Sequence, residues 1–237
     1  MLSQKRCVIL LTGTIIPNTG LKGIAHKNSV VRRQEYLDAV RYYVQFGKVL
    51  FLENSIFDFD NDPEFTSIEG LKIIKCPSQC DASSGLGSQE FRMIDYWLEN
   101  FDMLPQRWIK VTGRYIFNNF SNLYSHANQI QGKMIFERKL FSGGKVRTDI
   151  FSVTTEFYKK YLFGSYLDMN DAKGKWAEHV FFDRLKFKKS IIVFKKYPIL
   201  TGIGGSTGLP FKYTIKNKAV NMIRNSLYMF VRLYRFF

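Results

Sequence analysis

Residues 85–115 read GLGSQEFRMIDYWLENFDMLPQRWIKVTGRY, and this stretch decides the architecture. Phe91, Ile94, Leu98 and Phe101 recur at spacings of 3, 4 and 3. That is the period of one α-helical face, so the segment predicts a helix that must lie on an apolar surface. Ser88 is its expected cap, because a hydroxyl can accept from the open amides of the first turn. Pro105 follows the helix, and residues 108–111 then read as a buried strand running into Thr112-Gly113-Arg114-Tyr115. A helix delivered straight into a buried strand is half of a β-α-β unit.

The chain upstream repeats the pattern. Residues 8–11 form a short apolar strand ending in Thr12-Gly13-Thr14. A helix is expected over 31–46, with Tyr36, Leu37, Val40, Tyr43 and Val44 on one face and Gly47 as its stop. Residues 48–53 (KVLFLE) and 71–75 read as the second and third strands, separated by an acidic loop over 54–70. Alternation of this kind predicts an α/β fold, a Rossmann-like, mostly parallel sheet with helices on both faces. Ligands of such sheets bind at the C-terminal ends of the strands. Downstream, strands are expected over 133–138 and 147–153, joined around Gly143-Gly144, and helices over 154–163 and 176–186. A strand over 191–194 and a glycine-rich run, TGIGGSTG at 201–208, follow. No internal repeat or low-complexity linker breaks the chain. At 237 residues it fits one α/β domain of up to about 250 residues, placed at 1–212.

The formal net charge is +15, and its placement is uneven. From Arg184 to the end there are twelve Lys or Arg and no acid, which leaves 23 basic and 20 acidic residues before it. Within that block, residues 213–237 read as a basic amphipathic helix. Val220, Ile223, Leu227, Phe230, Tyr234 and Phe237 form its stripe, with Lys216, Lys218, Arg224, Arg232 and Arg235 around them. The pattern suits a helix lying on an anionic membrane surface; a helix docked on its own domain shows the same stripe. No nucleic-acid-binding signature accompanies the charge, so nucleic acid is not the expected partner. A non-catalytic basic module holding nucleic acid or an acidic partner stays as the alternative. Cys7, Cys76 and Cys80 have no zinc-ligand spacing and read as free thiols. Lys5 and Arg6 before an apolar run resemble a short signal peptide, but Thr12-Gly13-Thr14 interrupts the run, which reads better as a buried strand.

Chemistry is expected at the strand ends. Thr12 and Thr14 offer hydroxyls, Gly13 permits close approach, and Asn18 lies just beyond. Glu53-Asn54-Ser55 ends the second strand. After the fourth, Lys110 and Arg114 flank Thr112 and Gly113 and bring fixed positive charge to a rim where anions could bind; pairing of Arg114 with a core carboxylate is the other reading. Asp149, an acid inside an apolar strand, and Glu178, at the start of a helix beside His179, are candidates for a catalytic carboxylate. Either acid could instead cap a helix or form a salt bridge. His26 and His126 read as ordinary loop or surface histidines.

Several of these segments resemble bacterial GT-A-type glycosyltransferases of lipopolysaccharide and capsular polysaccharide biosynthesis. The resembling pieces are LLTGTIIPN at 10–18, VRRQEYLDAV at 31–40, FLENS at 51–55, GLGSQEFRMIDYWLEN at 85–100 and WIKVTGRYIFNN at 108–119. Trp176-Ala177-Glu178-His179 looks like the helix that delivers a catalytic or acceptor-binding acid in such enzymes. The resemblance implies a nucleotide-sugar donor, such as UDP-galactose, and a lipid-linked glycan acceptor, such as O-antigen or capsule. It implies a cytoplasmic enzyme, peripheral on the inner face of the cell membrane. It implies that Thr12, Gly13 and Thr14 meet the nucleotide with Arg33 and Glu53 nearby, and that Gly87, Glu90, Lys110 and Arg114 border the donor sugar and diphosphate. The departure is at the fourth strand, where Lys110 and Thr112-Gly113-Arg114 stand in place of the DxD that holds Mn or Mg in many relatives. Asp58-Phe59-Asp60 has the DxD spacing but follows the second strand and reads as a solvated loop.

Overall fold

A computed structural model describes residues 6–17, 27–78, 85–138, 144–202 and 215–226. The element order begins β1 (Val8–Gly13), α1 (Ser29–Tyr43), β2 (Val49–Glu53), α2 (Pro63–Thr66), β3 (Leu71–Lys75), α3 (Leu86–Asn100) and β4 (Arg107–Thr112). It continues β5 (Ile116–Phe117), α4 (Phe120–Gln129), β6 (Met134–Arg138), β7 (Val146–Thr154), α5 (Thr155–Tyr161) and α6 (Ala177–Leu185). Two 3-10 turns, Ser165–Asp168 and Asp171–Lys173, separate α5 from α6; β8 (Ile191–Ile192), β9 (Leu200–Thr201) and α7 (Ile215–Ser226) close the order.

The strands form a seven-stranded sheet in the order β3-β2-β1-β4-β7-β6-β8, with β5 and β9 paired apart from it. β3, β2, β1 and β4 are mutually parallel, as the alternation requires. β7 runs antiparallel to both its neighbours, β4 and β6, and β8 is parallel to β6. Alternate residues of each central strand face opposite layers. Leu10, Trp108 and Phe151 enter a core with Phe91, Ile94 and Leu98 of α3, Tyr158 of α5 and Phe181 of α6. Ile9, Leu11, Ile109 and Val111 enter a second core with Leu37, Val40 and Tyr43 of α1 and Leu123 of α4. The sheet is therefore covered on both faces.

Local chemistry explains the helix ends. Asn28 caps α1, its side-chain oxygen accepting from the amides of Val30 and Val31 at 3.0 and 3.2 Å. The cap of α3 is Gly85, not Ser88. Ser88 lies inside the first turn and donates to the Tyr166 carbonyl at 3.1 Å. Cys7 and Cys76 are buried free thiols, and burial pushes both up to about 12; Cys80, Asn18 and His26 lie outside the described residues. None of the helices among the described residues is long and apolar enough to cross a membrane.

The described part of α7 meets the domain through polar residues. Arg224 and Glu137 of β6 are each 2% exposed at the side chain, and Arg224 Nη2 donates to both carboxylate oxygens, at 2.7 and 2.9 Å. Asn225 accepts from the Tyr197 amide at 2.9 Å, and Asn221 is buried. Met222 and Ile223 face outward, 69% and 58% exposed. Of the expected stripe, Ile223 thus points away from the domain, while Leu227, Phe230, Tyr234 and Phe237 lie outside the described residues. The basic residue Arg224, expected on the solvated flank, is instead the anchor.

Burial raises the Glu137 carboxyl to about 6, and Arg224 opposes that shift. A carboxyl raised in the folded state loses stability as pH climbs through its folded value, and removing the partner widens that window upward. Arg224→Ala should cost about 3–5 kcal/mol near neutral pH, the range for breaking a buried pair. Urea denaturation should show a larger deficit at pH 8 than at pH 5; equal deficits at both would mean that the pair is not ionised in the folded protein.

Candidate functional site

The C-terminal ends of β1, β2 and β4 meet at one rim. Register places Thr12 beside Thr112 and Gly13 beside Glu53. Gly113 donates its amide to the Thr12 carbonyl at 2.9 Å, and a Cβ there would sit 2.7 Å from that oxygen. A Cβ on Gly13 would come within 2.6 Å of both Phe51 and Tyr36. Packing of the strand ends therefore accounts for both glycines.

Glu90, from the second turn of α3, reaches back over this rim. Its Oε1 accepts from Thr12 Oγ1 at 2.5 Å and from Thr112 Oγ1 at 3.0 Å, and it pairs with Lys110 Nζ at 2.7 Å. Lys110 is fully buried and Glu90 has 21% of its side chain exposed. The ammonium also donates to Thr112 Oγ1 at 2.9 Å and to the Thr148 carbonyl at 2.6 Å, and it stands 5.4 Å from the Phe91 centroid. Its three protons are therefore all engaged. All three contacts to Glu90 fall on Oε1. Its Oε2 has no hydrogen-bond partner among the described residues, so one carboxylate oxygen is fixed and the other is open to accept from a hydroxyl.

A second cluster holds the loop after β1. The Tyr36 hydroxyl oxygen accepts from the Thr14 amide at 2.9 Å, and Thr14 Oγ1 donates to Asn54 Oδ1 at 2.6 Å. Glu53 is fully buried; it accepts from the amides of Ile15 at 2.9 Å and Ser55 at 3.0 Å and from Lys75 Nζ at 2.6 Å. Its role in the structure is to shape the loop. Arg32, also buried, donates to the carbonyls of Thr14 at 3.0 Å and Ile15 at 3.2 Å. Burial and the nearby Arg114 lower its basicity. Arg114 pairs with Glu35 at 2.7 Å with only 7% of its side chain exposed, the carboxylate pairing that the sequence left open.

Arg33, expected beside the nucleotide, is turned away. It binds Asp62 at 2.6 Å and Glu64 at 2.8 Å on the outer side of α1. One residue along a helix is a rotation of about 100°, which carries Arg32 to the rim and Arg33 to the surface. Asp149 pairs with Arg147 at 2.5 Å, and Arg147 reaches the Pro198 carbonyl at 3.1 Å. Gly87 faces α6, where a Cβ would lie 3.1 Å from Ala177 Cβ. Glu178 stands in the first turn of α6. It acts electrostatically on Asp171, whose carboxyl is raised mainly by burial and whose Oδ2 accepts from the Leu86 amide at 3.1 Å. Asp171 was not legible in the sequence: it lies 85 residues from the helix end it satisfies.

The described residues at the rim do not fit a divalent cation. No group of three or more Asp, Glu, His or Cys gathers among them. The carboxylates at the strand ends are each already paired with a cation, Glu90 with Lys110, Glu53 with Lys75 and Asp149 with Arg147. Asp58 and Asp60 are exposed, with Asp58 accepting from the Asp60 amide at 3.0 Å and from Asn61 at 2.6 Å, as a solvated loop would.

No protein-family model matches the chain, and no curated protein matches it. Solved structures do. A crystal structure of the galactosyltransferase LgtC in complex with donor and acceptor sugar analogs aligns with a TM-score of 0.50 at 9% identity, over 78% of this chain and 72% of that one. The glycosyltransferase GlyE from Streptococcus pneumoniae TIGR4 aligns at 0.46 and 9% identity, over 78% of this chain and 44% of that one. A 4-diphosphocytidyl-2C-methyl-D-erythritol synthase from Anaerococcus prevotii DSM 20548 aligns at 0.41 and 9% identity, over 93% and 97%. The likeness to LgtC, with the sheet order above, establishes a GT-A-like α/β fold.

Gly85 offers a test of how α3 is started. Its φ is +92°, and an added Cβ would meet the Asp171 carboxylate at 2.1 Å. Gly85→Ala should destabilise the fold by about 1–3 kcal/mol from the backbone alone, plus the clash. Asp171→Ala removes the clash but also the acceptor of the Leu86 amide, so the double variant should melt below Asp171→Ala alone by the backbone cost. A double variant that melts with Asp171→Ala would show that the backbone at 85 is unstrained.

Proposed function

We propose that the protein is a glycosyltransferase moving a hexose, such as galactose from UDP-galactose, from a nucleotide sugar to a lipid-linked surface glycan such as O-antigen or capsule. The observation that carries this reading is the Thr12–Thr112–Glu90–Lys110 cluster at the C-terminal edge of a GT-A-like sheet. That edge is where open α/β sheets bind nucleotides. A structural neighbour solved with donor and acceptor sugar analogs supports the same choice.

In this reading the loop held by Arg32, Tyr36 and Glu53 receives the nucleotide. The open oxygen of Glu90 accepts from a hydroxyl of the donor sugar. As the acceptor oxygen bonds to the anomeric carbon, the bond from that carbon to the diphosphate breaks and its electron pair leaves with the phosphate. Arg114 and Arg32 stabilise the departing charge, and Lys110 holds Glu90 in place. Glu178 takes the acceptor proton, with Asp149 as the other candidate; the Arg147 pair ties Asp149 more firmly. With Lys110 and Arg114 where a DxD would stand, and no metal-ligand group among the described residues, these positive side chains take the place of a divalent cation in this reading.

The basic C-terminal block would hold the enzyme on the anionic inner face of the membrane, beside its acceptor. Exposed Met222 and Ile223 on a helix anchored by Arg224 favour this over docking of the whole stripe on the domain.

Nucleotide release should be measured across UDP-, GDP- and CMP-sugars with and without EDTA. One donor should turn over, and turnover should survive EDTA. Glu90→Gln and Lys110→Met should each lower kcat by about 10²–10³, the range for losing one preorganised electrostatic group, while Arg33→Ala should stay within about twofold of the parent. A chain ending at Ser226 keeps the Glu137–Arg224 pair and should lose binding to phosphatidylserine vesicles. Release from no donor, with salt-sensitive binding to RNA or DNA, would overturn the transferase reading in favour of a basic binding module.

A further inference from the structure

Beside α3 the surface carries an aromatic group that the donor cluster does not use. Trp176, the residue before α6, is 42% exposed, whereas Trp97 and Trp108 are 2% and 0% exposed. The exposed indole is nonetheless held in place. His179 lies nearly parallel to it, with centroids 5.3 Å apart and planes inclined by 15°. His179 Nδ1 is 3.1 Å from the Gly174 carbonyl oxygen. Only a protonated Nδ1 can donate there, so in the neutral ring Nε2 is left as an acceptor. Lys145 Nζ stands 4.3 Å from the indole centroid. Residues 172–175, just before the indole, are exposed and hold Lys173 and Lys175. A protein partner would need a contiguous apolar patch, and this is one aromatic ring among polar groups.

The position is tied to the rim. Ala177 packs on Gly87, so Trp176 stands next to the first turn of α3, three residues ahead of Glu90. Glu178 follows two residues later.

We propose that Trp176, with Lys145 and His179, is the acceptor subsite and takes one pyranose ring of the glycan acceptor. The inference rests on the transferase reading above. A pyranose presents a face of C–H groups and a rim of hydroxyls. The C–H face lies on the part of the indole that His179 and Lys145 leave exposed and displaces water from it. The hydroxyls donate to His179 Nε2 and accept from the Lys145 ammonium. The ring stack with His179 pre-sets the indole, which lowers the ordering cost of binding. A sugar seated there is carried by the α6 helix that bears Glu178, the carboxylate proposed to take the acceptor proton.

The test uses full-length protein and oligosaccharides released from bacterial lipopolysaccharide core as the probe. Because the other two tryptophans are buried, acrylamide quenching of fluorescence reports Trp176. Saturating oligosaccharide should lower the quenching constant at least twofold; an unchanged constant would overturn the subsite whether or not any sugar is transferred. In the transfer assay Trp176→Ala should raise the acceptor KM at least tenfold with the donor KM within twofold, and Trp176→Tyr should restore most of the acceptor affinity. An acceptor KM unmoved by Trp176→Ala would also overturn it. Absence of donor turnover in the parent protein would instead count against the transferase reading, and the quenching result would still decide the subsite.

Discussion

A lysine with no solvent exposure sits in the middle of the central sheet, and the rim is organised around it. Lys110 is on β4, flanked by β1 and β7, where a bare ammonium would cost several kcal/mol. Glu90 offsets that cost at 2.7 Å, with Thr112 and the Thr148 carbonyl taking the remaining protons. The pair dictates where α3 must start and how it must be turned, since only a carboxylate from its second turn reaches the strand ends. The same carboxylate oxygen gathers the hydroxyls of Thr12 and Thr112 and so welds β1 to β4 at the rim. The other oxygen is what the site can offer to a ligand.

The remaining features extend from this centre in two directions. Towards β2, the loop after β1 is shaped from beneath by Glu53 and from α1 by Arg32 and Tyr36, which fixes a backbone cradle beside a cluster of guanidinium groups. Towards α6, the start of α3 is completed by Asp171 and packed through Gly87 against Ala177, so that the first turns of α3 and α6 stand side by side. Donor and acceptor functions would then share one helix start. At the far side, β6 presents Glu137 to Arg224, and this pair anchors the described part of the C-terminal helix, with Ile223 facing outward.

Much of the fold was legible. The 3-4-3 stripe of Phe91, Ile94, Leu98 and Phe101 and the four apolar strands specify layers because burial demands them, and those elements lie where expected. Helix α4 has no counterpart among the expected elements, although Phe120, Leu123, Tyr124 and Ala127 carry a helical spacing. The antiparallel turn of β7 could not be read, because strand direction is set by connections and leaves no mark in an apolar run. At the strand ends, Lys110 and Arg114 stood out as fixed positive charge after the fourth strand, whereas Glu90 was reached only through the family resemblance. The adjacent arginines Arg32 and Arg33 differ only in helical phase, which the sequence does not resolve; the structure turns Arg32 to the loop after β1 and Arg33 to Asp62. The cap of α3 was missed because the carboxylate that satisfies it, Asp171, is remote in the chain.

The central claim is that a nucleotide sugar binds at the rim built on Glu90 and Lys110. Crystals soaked with UDP and with UDP-galactose would test it most directly. The account predicts difference density for the nucleotide over the ends of β1 and β4, with the sugar within hydrogen-bond distance of Glu90 Oε2. Nucleotide density at another face of the sheet, with the Thr12–Glu90–Lys110 cluster untouched, would contradict it.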